Sequence, residues 1–327
     1  MRSERNDVRH GRGRAQASPA VDGPLRLVSR GDMIADGLYR THSSFRRAAN
    51  MTDGRGVVSM VELGVEPGPV NLVMRHLSPG TVRTLRVDGA SIIVNGAAVA
   101  TQGARDYSSK MDVGATDPEP VHRGLRMLRR LLAQRAPAES LAFLVEPSRT
   151  SAFRGGFRRE FVRHMRACAD DILHGDPFRG AARASGCGFG LTPSGDDLVV
   201  GVLVAMNLAE RVAGGSLAVE RRMIRRAAGT GGLVNETALC LAESGRVFET
   251  MKELLRALTR DNAFDLSRAV DRIVAVGETS GADTTVGLLL GTERWLFRRN
   301  RPRGLPGRDR RNGVKSDADR AAWGEFL

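Results

Sequence analysis

The 327-residue sequence contains few of the residues that mark secreted, metal-binding or membrane proteins. Its three cysteines, Cys168, Cys187 and Cys240, are odd in number and widely spaced, which argues against a disulfide framework and against a structural zinc site. No apolar run approaches the roughly 20 residues that a membrane-spanning helix needs, and the amino terminus lacks the apolar stretch of a signal peptide. We therefore expect a globular cytoplasmic protein without a membrane partner.

The motifs of several familiar enzyme classes are also missing. The glycine-rich segment 186–190 lacks both the Gly-Lys-Ser/Thr ending of a P-loop and the spacing of a dinucleotide-binding fingerprint. Ser194 follows a proline and does not lie in the Gly-x-Ser-x-Gly pattern of a hydrolase nucleophile. The six histidines show no paired ligand spacing on a helix, so no metal-binding residues are predicted. These classes fit the sequence badly, and no residue stands out as a nucleophile.

The formal net charge of +13 suggests nucleic-acid binding until its location is considered. Residues 1–20 carry net +3 and residues 298–327 carry net +5, so the two ends account for +8 of the total. Both ends are poor in apolar residues and rich in Arg, Gly and Pro, a composition that predicts a disordered basic extension and a disordered basic tail. The rest of the chain has no interleaved aromatic residues of the kind that bind single strands. Nucleic acid is therefore only a minor alternative as a partner.

Two segments of the chain are near copies of each other. Ser-Gly-Asp-Asp at 194–197 is followed by Gly201, and Ser-Gly-Ala-Asp at 280–283 is followed by Gly287, with every matched position offset by 86 residues. In both copies the Ser-Gly-x-Asp turn leads directly into an apolar helix. The first N–H groups of a helix lack partners and carry partial positive charge, so such a turn can bind an anion. The repeat indicates one site that is built twice.

The same pattern fits a capping box, in which Ser194 or Ser280 would cap its helix together with the acid three residues later. A cap explains neither the additional acid Asp196 nor a glycine inside each helix, where it costs about 1 kcal/mol relative to alanine. We therefore favour a functional site, and capping alone remains the alternative. We also expect the two helices to cross closely at Gly201 and Gly287, which would bring both turns to one pseudo-symmetric pocket.

Hydrophobic periodicity divides the chain into two regions. Apolar or alternating runs at residues 57–65, 69–75, 82–87, 91–94 and 97–101 predict strands, and Asp-Gly and Asn-Gly dipeptides separate the last three. Later in the chain the spacing becomes helical, apart from a short strand predicted at 141–145. The sequence therefore predicts an α+β protein, with a β-rich meander or barrel-like domain at 21–115 and a mainly α-helical domain at 116–297 that contains both motifs.

The predicted pocket combines opposite preferences for charge. Helix N-termini favour anions, whereas Asp196, Asp197 and Asp283 repel them unless a cation or a hydrogen-bond donor intervenes. A Mg²⁺ ion with a phosphate would satisfy both, because one or two carboxylates and phosphate oxygens commonly hold Mg²⁺. A ureido or carbamoyl substrate would also do so, with its N–H groups on the carboxylates and its anionic end on backbone N–H groups or an arginine such as Arg183. The sequence leaves the cofactor unknown.

The string Gly-Phe-Gly-Leu-Thr-Pro-Ser-Gly-Asp-Asp at 188–197, followed by Gly-Glu-Thr-Ser-Gly-Ala-Asp-Thr at 277–284, resembles the AllH family over about residues 25–297. The resemblance implies a subunit of an oxamate carbamoyltransferase-like enzyme that acts with FdrA-like and AllG-like subunits in the catabolism of purine and allantoin nitrogen. It implies phosphorolysis of an acyl-urea such as oxalurate to carbamoyl phosphate and oxamate. The sequence departs from the family pattern at Asn235, where a serine is expected, and in its basic ends.

The residues and the resemblance together assign the site. Asp196, Asp197 and Asp283 are the predicted catalytic residues, which orient the ureido nitrogens or a metal. The predicted substrate- and anion-binding residues are Gly188, Gly190, Thr192, Ser194, Gly195, Thr279, Ser280, Gly281, Asn235 and Arg183. Catalysis would depend on positioning and on electrostatic stabilisation of a tetrahedral oxyanion. The alternative is a non-catalytic metabolite-binding or assembly subunit whose partners carry the chemistry.

Overall fold

The computed structural model of the chain describes residues 23–114, 117–189, 192–229, 232–260 and 262–298. In these residues nine strands, which form one mixed sheet, precede nine α-helices, so the predicted α+β class is confirmed. Each region has its own hydrophobic core, which the sheet builds from residues between 27 and 99 and the helical region from residues between 111 and 296. The ends predicted to be disordered lie outside the described residues, apart from residue 298.

The sheet is mixed in direction and crosses over in sequence. Its strands are β1 Arg26–Gly31, β2 Gly37–Ser44, β3 Ala48–Thr52, β4 Val57–Glu62, β5 Asn71–Arg75, β6 Thr84–Asp88, β7 Ser91–Val94, β8 Ala97–Ala98 and β9 Arg105–Tyr107. Their order is β8-β7-β6-β2-β3-β4-β5-β1-β9, and only the β4–β5 and β1–β9 pairs are parallel. The sheet is therefore a meander only from β2 to β4 and from β6 to β8, while β1 lies between β5 and β9.

The two predicted tight turns join β6, β7 and β8. Asn95 and Gly96 have positive φ angles of 51° and 83°, as a type I′ turn requires. In the preceding hairpin, Asp88 pairs with Ser91 and Gly89 has a φ of 54°. The positions of both turns are confirmed, because only residues that tolerate a left-handed backbone fit there without strain.

The helical region surrounds two central helices. The helices are α1 Pro118–Arg135, α2 Gly156–His174, α3 Pro177–Ala184, α4 Ser194–Ala213, α5 Ala218–Ala228, α6 Leu233–Glu243, α7 Glu249–Thr259, α8 Ala263–Val274 and α9 Ser280–Thr292, and α9 continues as a π-helix over Glu293–Arg298. Most residues of α4 and α9 are buried, as expected of helices that are apolar on all sides. Within the described residues, no helix is long and apolar enough to cross a bilayer.

The strand predicted at 141–145 is wrong. Leu141–Leu144 form a 3-10 helix, whose N-cap Ser140 accepts a hydrogen bond from the N–H of Ala142. The N–H of Leu141 donates to the side chain of Asp283 and not to a neighbouring strand. A short apolar run does not by itself distinguish a strand from a buried helical turn, and here side-chain acceptors stabilise the turn.

The helices α4 and α9 cross at the two predicted glycines. A Cβ atom added to Gly201 would lie 2.0 Å from a backbone oxygen of α9, and one added to Gly287 would lie 2.1 Å from a backbone oxygen of α4. Farther along, Gly291 faces Ala205, which is again 86 residues earlier, and a Cβ on this glycine would lie 2.7 Å from the alanine Cβ. The expected close crossing is confirmed, and it relates the two helices by pseudo-two-fold symmetry.

Candidate active site

The crossing of α4 and α9 brings the two Ser-Gly-x-Asp turns together at the starts of the helices. Ser194 and Ser280 are the first helical residues of α4 and α9. The N-cap positions belong to Pro193 and Thr279, and neither makes a side-chain cap hydrogen bond. The capping-box alternative is therefore wrong for both serines, because neither occupies the position from which a serine caps its own helix.

Each serine instead lies beside the acid of the other motif. The hydroxyl of Ser280 is close enough to the Asp197 carboxyl to lower its pKa, and the hydroxyl of Ser194 does the same for the Asp283 carboxyl. Thr192 also lowers the pKa of Asp197, and its Oγ1 lies 2.6 Å from the Oγ of Ser280, with which it forms a hydrogen bond. The two motifs therefore form one reciprocal network and not two independent helix ends.

Asp197 and Asp283 are the two acids of this network, and Asp283 is fully buried whereas Asp197 is half-buried with a buried Oδ2 atom. Burial raises the pKa of Asp283 to about 6, although the N–H of Leu141, which donates to its Oδ1 at 2.6 Å, and the hydroxyls of Ser194 and Thr279 oppose the rise. Burial also raises the pKa of Asp197 well above its usual range, and the negative charge of Asp283 raises it further. Desolvation and like charge both favour the neutral form of a carboxyl, so proton binding by this pair extends towards neutral pH.

One oxygen of each acid has no hydrogen-bond partner. The Oδ2 atoms of Asp197 and Asp283 are both buried, and no donor among the described residues reaches them. A buried acceptor without a donor is costly, so such atoms are uncommon unless a ligand, water or proton satisfies them. The arrangement therefore offers two matched acceptor atoms to a group that carries its own N–H or O–H donors.

Asp196 differs from these two acids because both of its oxygens are bonded. Its Oδ1 accepts hydrogen bonds from the Ser185 hydroxyl at 2.9 Å and the Gly186 N–H at 3.1 Å, and its Oδ2 accepts from Asn235 Nδ2 at 2.7 Å. Burial raises its pKa, and the bonds from Gly186 and Ser185 oppose the rise. Asp196 therefore joins the start of α4 to the loop after α3 and to α6, and Asn235 is used in that contact.

The glycines of the two motifs have a packing role. A Cβ atom on Gly195 would lie 1.8 Å from a backbone oxygen of α3, and one on Gly281 would lie 1.8 Å from a backbone oxygen of α8. Their N–H groups donate to Cys187 O at 2.7 Å and to Val276 O at 3.1 Å. Glycine is thus required at both positions by the preceding helix, and neither N–H is free to bind an anion.

The remaining predicted residues lie around this network in different ways. Gly188 has a φ of 146°, and a Cβ on it would lie 2.3 Å from the N atom of Ser194, so the loop packs against the start of α4. Gly190 lies outside the described residues. The Nη1 of Arg183 lies 2.9 Å from Asp171 Oδ2 on α2, so this arginine is paired away from the acids.

The structure adds one hydrogen-bond donor to the site that the sequence analysis missed. The N–H of Leu141 reaches Asp283 from a position 142 residues earlier in the chain, and no local pattern in the sequence indicates such a contact.

Within the described residues, no group of three or more His, Cys, Asp or Glu side chains is placed to hold a metal ion. The contacts of Asp196 give the reason, since its oxygens are directed to Ser185, Gly186 and Asn235.

Comparison with known proteins found a similarity to one protein family over part of the chain. A family model described as oxamate carbamoyltransferase subunit AllH matches residues 185–292. No curated protein and no solved structure matches the chain. The matched segment begins immediately after α3 and ends with α9, so it contains both motifs, the helix crossing and the buried acids. The resemblance predicted from the two motifs is thereby confirmed over residues 185–292, which form the paired site, and its predicted extension over about residues 25–297 stays a prediction.

Proposed function

We propose that the chain is the AllH-like subunit of a multi-subunit carbamoyltransferase that cleaves an acyl-urea with phosphate. The proposed substrate is oxalurate or a related small anionic ureido acid, and the products are carbamoyl phosphate and oxamate or the corresponding amide. The family match supports the reaction class and the subunit character. We further propose FdrA-like and AllG-like chains as partners, purine and allantoin nitrogen catabolism as the context, and the cytoplasm as the location.

The observation that carries this proposal is the pair of buried carboxyls. The unpaired Oδ2 atoms of Asp197 and Asp283 are acceptors, so they suit a ligand that brings N–H donors into the site. A ureido group carries N–H groups on both sides of one carbonyl. The nearly symmetric ureido group therefore suits two acids that are related by a pseudo-two-fold axis, because each acid can accept from one side of the group.

The raised pKa values also suit the pair to proton transfer. Two neighbouring buried carboxyls favour a state in which one is neutral and the other ionised. In the proposed step, an oxygen of hydrogen phosphate bonds to the ureido carbonyl carbon, and the bond from that carbon to the amide nitrogen breaks. The ionised acid accepts the proton of the phosphate and the neutral acid protonates the leaving nitrogen, so the pair keeps one proton overall. The positive ends of α4 and α9 stabilise the developing oxyanion.

A different observation supports the alternative of a non-catalytic subunit. The hydroxyls of Ser194 and Ser280 lie against the acids, Ser280 also bonds to Thr192, and Arg183 is paired with Asp171. None of these side chains is therefore ready to attack a substrate or to hold its phosphate in this arrangement. A metabolite-binding or assembly subunit, with the chemistry on its partners, has the same features.

The proposal is tested with the purified chain, alone and combined with FdrA-like and AllG-like chains from the same genome. Oxalurate and phosphate are supplied, and carbamoyl phosphate and oxamate are measured. We expect both products only in the mixture that contains the partners. Absence of products with oxalurate and with a series of other ureido acids, in a complex shown to be assembled, would contradict the proposed reaction.

Two substitutions separate the catalytic role from the alternative. Asp197→Asn and Asp283→Asn keep the shape of each side chain but remove its ability to transfer a proton, so we expect turnover to fall by about 100-fold or more. Assembly, measured by size-exclusion chromatography, should be unchanged. Asp170→Asn, at an exposed position of α2, is the matched control and should retain full activity. Full activity in both site variants would support the non-catalytic subunit instead.

A further inference from the structure

A cavity lies at the opposite end of α9 from the acid pair. It has a volume of about 710 Å³, and its lining includes His122, Arg126, Arg129 and Arg130 of α1 with Glu293 and Phe297 of the π-helix. Glu293 follows Asp283 by ten residues, which corresponds to about 15 Å along an α-helix. The cavity is therefore separate from the proposed reaction site, and its size lies within the range of about 300–1,000 Å³ that is typical of small-molecule sites.

Among the described residues, two arginines of this cavity have no counter-charge. Arg129 donates to both carboxyl oxygens of Glu293, at 2.7 and 2.8 Å, so these two charges are paired. Arg126 Nη1 lies 2.8 Å from His122 Nδ1, which accepts the bond because a guanidinium can only donate. Arg130 has no polar partner among the described residues. Arg126 and Arg130 therefore give the cavity an excess of positive charge that favours an anion.

One wall of the cavity is formed by two aromatic rings. The rings of His122 and Phe297 are 5.0 Å apart between centroids and are inclined at 51°, and the buried side chain of Leu125 contributes apolar surface beside them. Phe297 takes this position because α9 widens into a π-helix at Glu293. Such π-helical turns are rare and are frequent at functional sites. The cavity thus combines two arginines with a surface on which a flat ring can stack.

We propose that this cavity binds a mononucleotide. Its phosphate is held by Arg126 and Arg130, because the planar guanidinium fork matches the oxygens of a phosphate group. Its base lies against the rings of His122 and Phe297, where stacking provides affinity without selecting one base. The inference goes beyond the proposed carbamoyl transfer, because no residue of this cavity belongs to the acid pair.

The proposal is tested by isothermal titration calorimetry on the full chain with AMP, ADP, ribose 5-phosphate and inorganic phosphate. We expect saturable binding of one AMP or ADP per chain, at least tenfold tighter than binding of ribose 5-phosphate or phosphate. The double variant Arg126→Gln/Arg130→Gln should weaken AMP binding at least tenfold. Phe297→Leu should reduce the affinity for AMP to that for ribose 5-phosphate while leaving the latter unchanged.

Two controls make the result specific to the cavity. Arg159→Gln/Arg163→Gln removes the same charge from exposed positions of α2 and should leave AMP binding unchanged. Asp283→Asn should also leave it unchanged, so a failure of the carbamoyltransferase assay and a failure of this inference are distinguishable. The inference is overturned by the absence of saturable mononucleotide binding at millimolar concentration, by equal affinity for AMP and phosphate, or by binding that persists in the Arg126 and Arg130 double variant.

Discussion

The two copies of the Ser-Gly-x-Asp motif share a position in the fold but differ in what surrounds them. Asp196 of the first copy corresponds to Ala282 of the second. Asp196 bonds to Ser185, Gly186 and Asn235, whereas Ala282 is a fully buried apolar residue. The third position of the motif therefore has no shared function, and in the first copy it connects α4 to neighbours that α9 does not have.

The positions that the copies share are those that meet between the helices. Asp197 and Asp283 each lie beside the serine of the opposite motif, which lowers the pKa of the acid, and each has one unpaired buried oxygen. The shared glycines allow this approach, because the helices touch through their backbones at Gly201 and Gly287. Positions at which the two copies have the same residue therefore form the joint site. Positions at which the residues differ contact the rest of the protein, which surrounds the two helices differently.

Breaking the helix crossing should have the largest effect. Gly201→Ala places a Cβ atom 2.0 Å from a backbone oxygen, so the helices must separate, and we expect a loss of about 3 kcal/mol or more in the free energy of unfolding. Gly287→Ala should cost a similar amount, because its Cβ would lie 2.1 Å from the matching oxygen. Urea unfolding measures both.

Gly156→Ala is the matched control for these substitutions. A Cβ on Gly156, at the start of α2, would meet nothing within 4 Å, so its stability should be close to that of the unaltered chain. Native stability in Gly201→Ala would show that the helices do not pack through these glycines. A large loss in one glycine variant but not in the other would show that the crossing is not symmetric.

Removing the acid that only one copy has should have the next largest effect. Asp196→Ala removes the shared acceptor of three hydrogen bonds, from Ser185, Gly186 and Asn235, and we expect a loss of about 2–3 kcal/mol in unfolding free energy. The double variant with Asn235→Ala should lose less than the sum of the two single losses, by about 1 kcal/mol, because the two residues share one hydrogen bond. Strict additivity would contradict that contact.

Sequence alone predicted the elements whose signals are local. The Asp-Gly and Asn-Gly dipeptides, whose residues tolerate a left-handed backbone, predicted the turns around β7. The 86-residue offset between the two motifs predicted the crossing of their helices. The strand β2, with the sequence GLYRTHSS, was missed because only two of its residues are large and apolar. The helix α3 was missed because it is only eight residues long and contains Gly180, whose Cβ would lie 2.7 Å from α2.

The partners of the site could not be predicted in the same way. The residues Ser194 and Asp197 have the spacing of a capping box, and that local pattern does not reveal that each lies beside a residue of the other motif. The donor Leu141 and the role of Asp196 depend on contacts with distant parts of the chain. Which acids keep an unpaired oxygen therefore depends on tertiary contacts, which the local spacing of residues does not predict.

The buried acid of the second copy should make stability depend on pH. Because burial raises the pKa of Asp283 to about 6, the folded protein keeps a proton that the unfolded chain releases between about pH 4 and pH 6. The unfolded state then binds fewer protons than the folded state, so this acid lowers stability as pH rises through that window. We expect Asp283→Asn to increase the free energy of unfolding by about 2 kcal/mol at pH 8 and to change it little below pH 4.

Urea unfolding at pH 4 and pH 8 measures this effect. Asp170→Asn, which alters an exposed acid, should show no such difference between the two pH values. Equal stability of Asp283→Asn and the unaltered chain at pH 8 would show that the Asp283 carboxyl is not destabilised by burial. A gain in stability together with a loss of turnover would show that the second motif sacrifices stability for its function.

The smallest expected effect distinguishes reciprocal motifs from independent ones. Ser280→Ala removes a hydroxyl that stabilises ionised Asp197, so the pKa of Asp197 should rise further above its usual range. Ser194→Ala should have its larger effect on Asp283. Titration of the carboxyl carbons by NMR measures both. If each serine only capped its own helix, Ser194→Ala would shift Asp197 and Ser280→Ala would shift Asp283, so the identity of the shifted acid decides whether the two copies form one site.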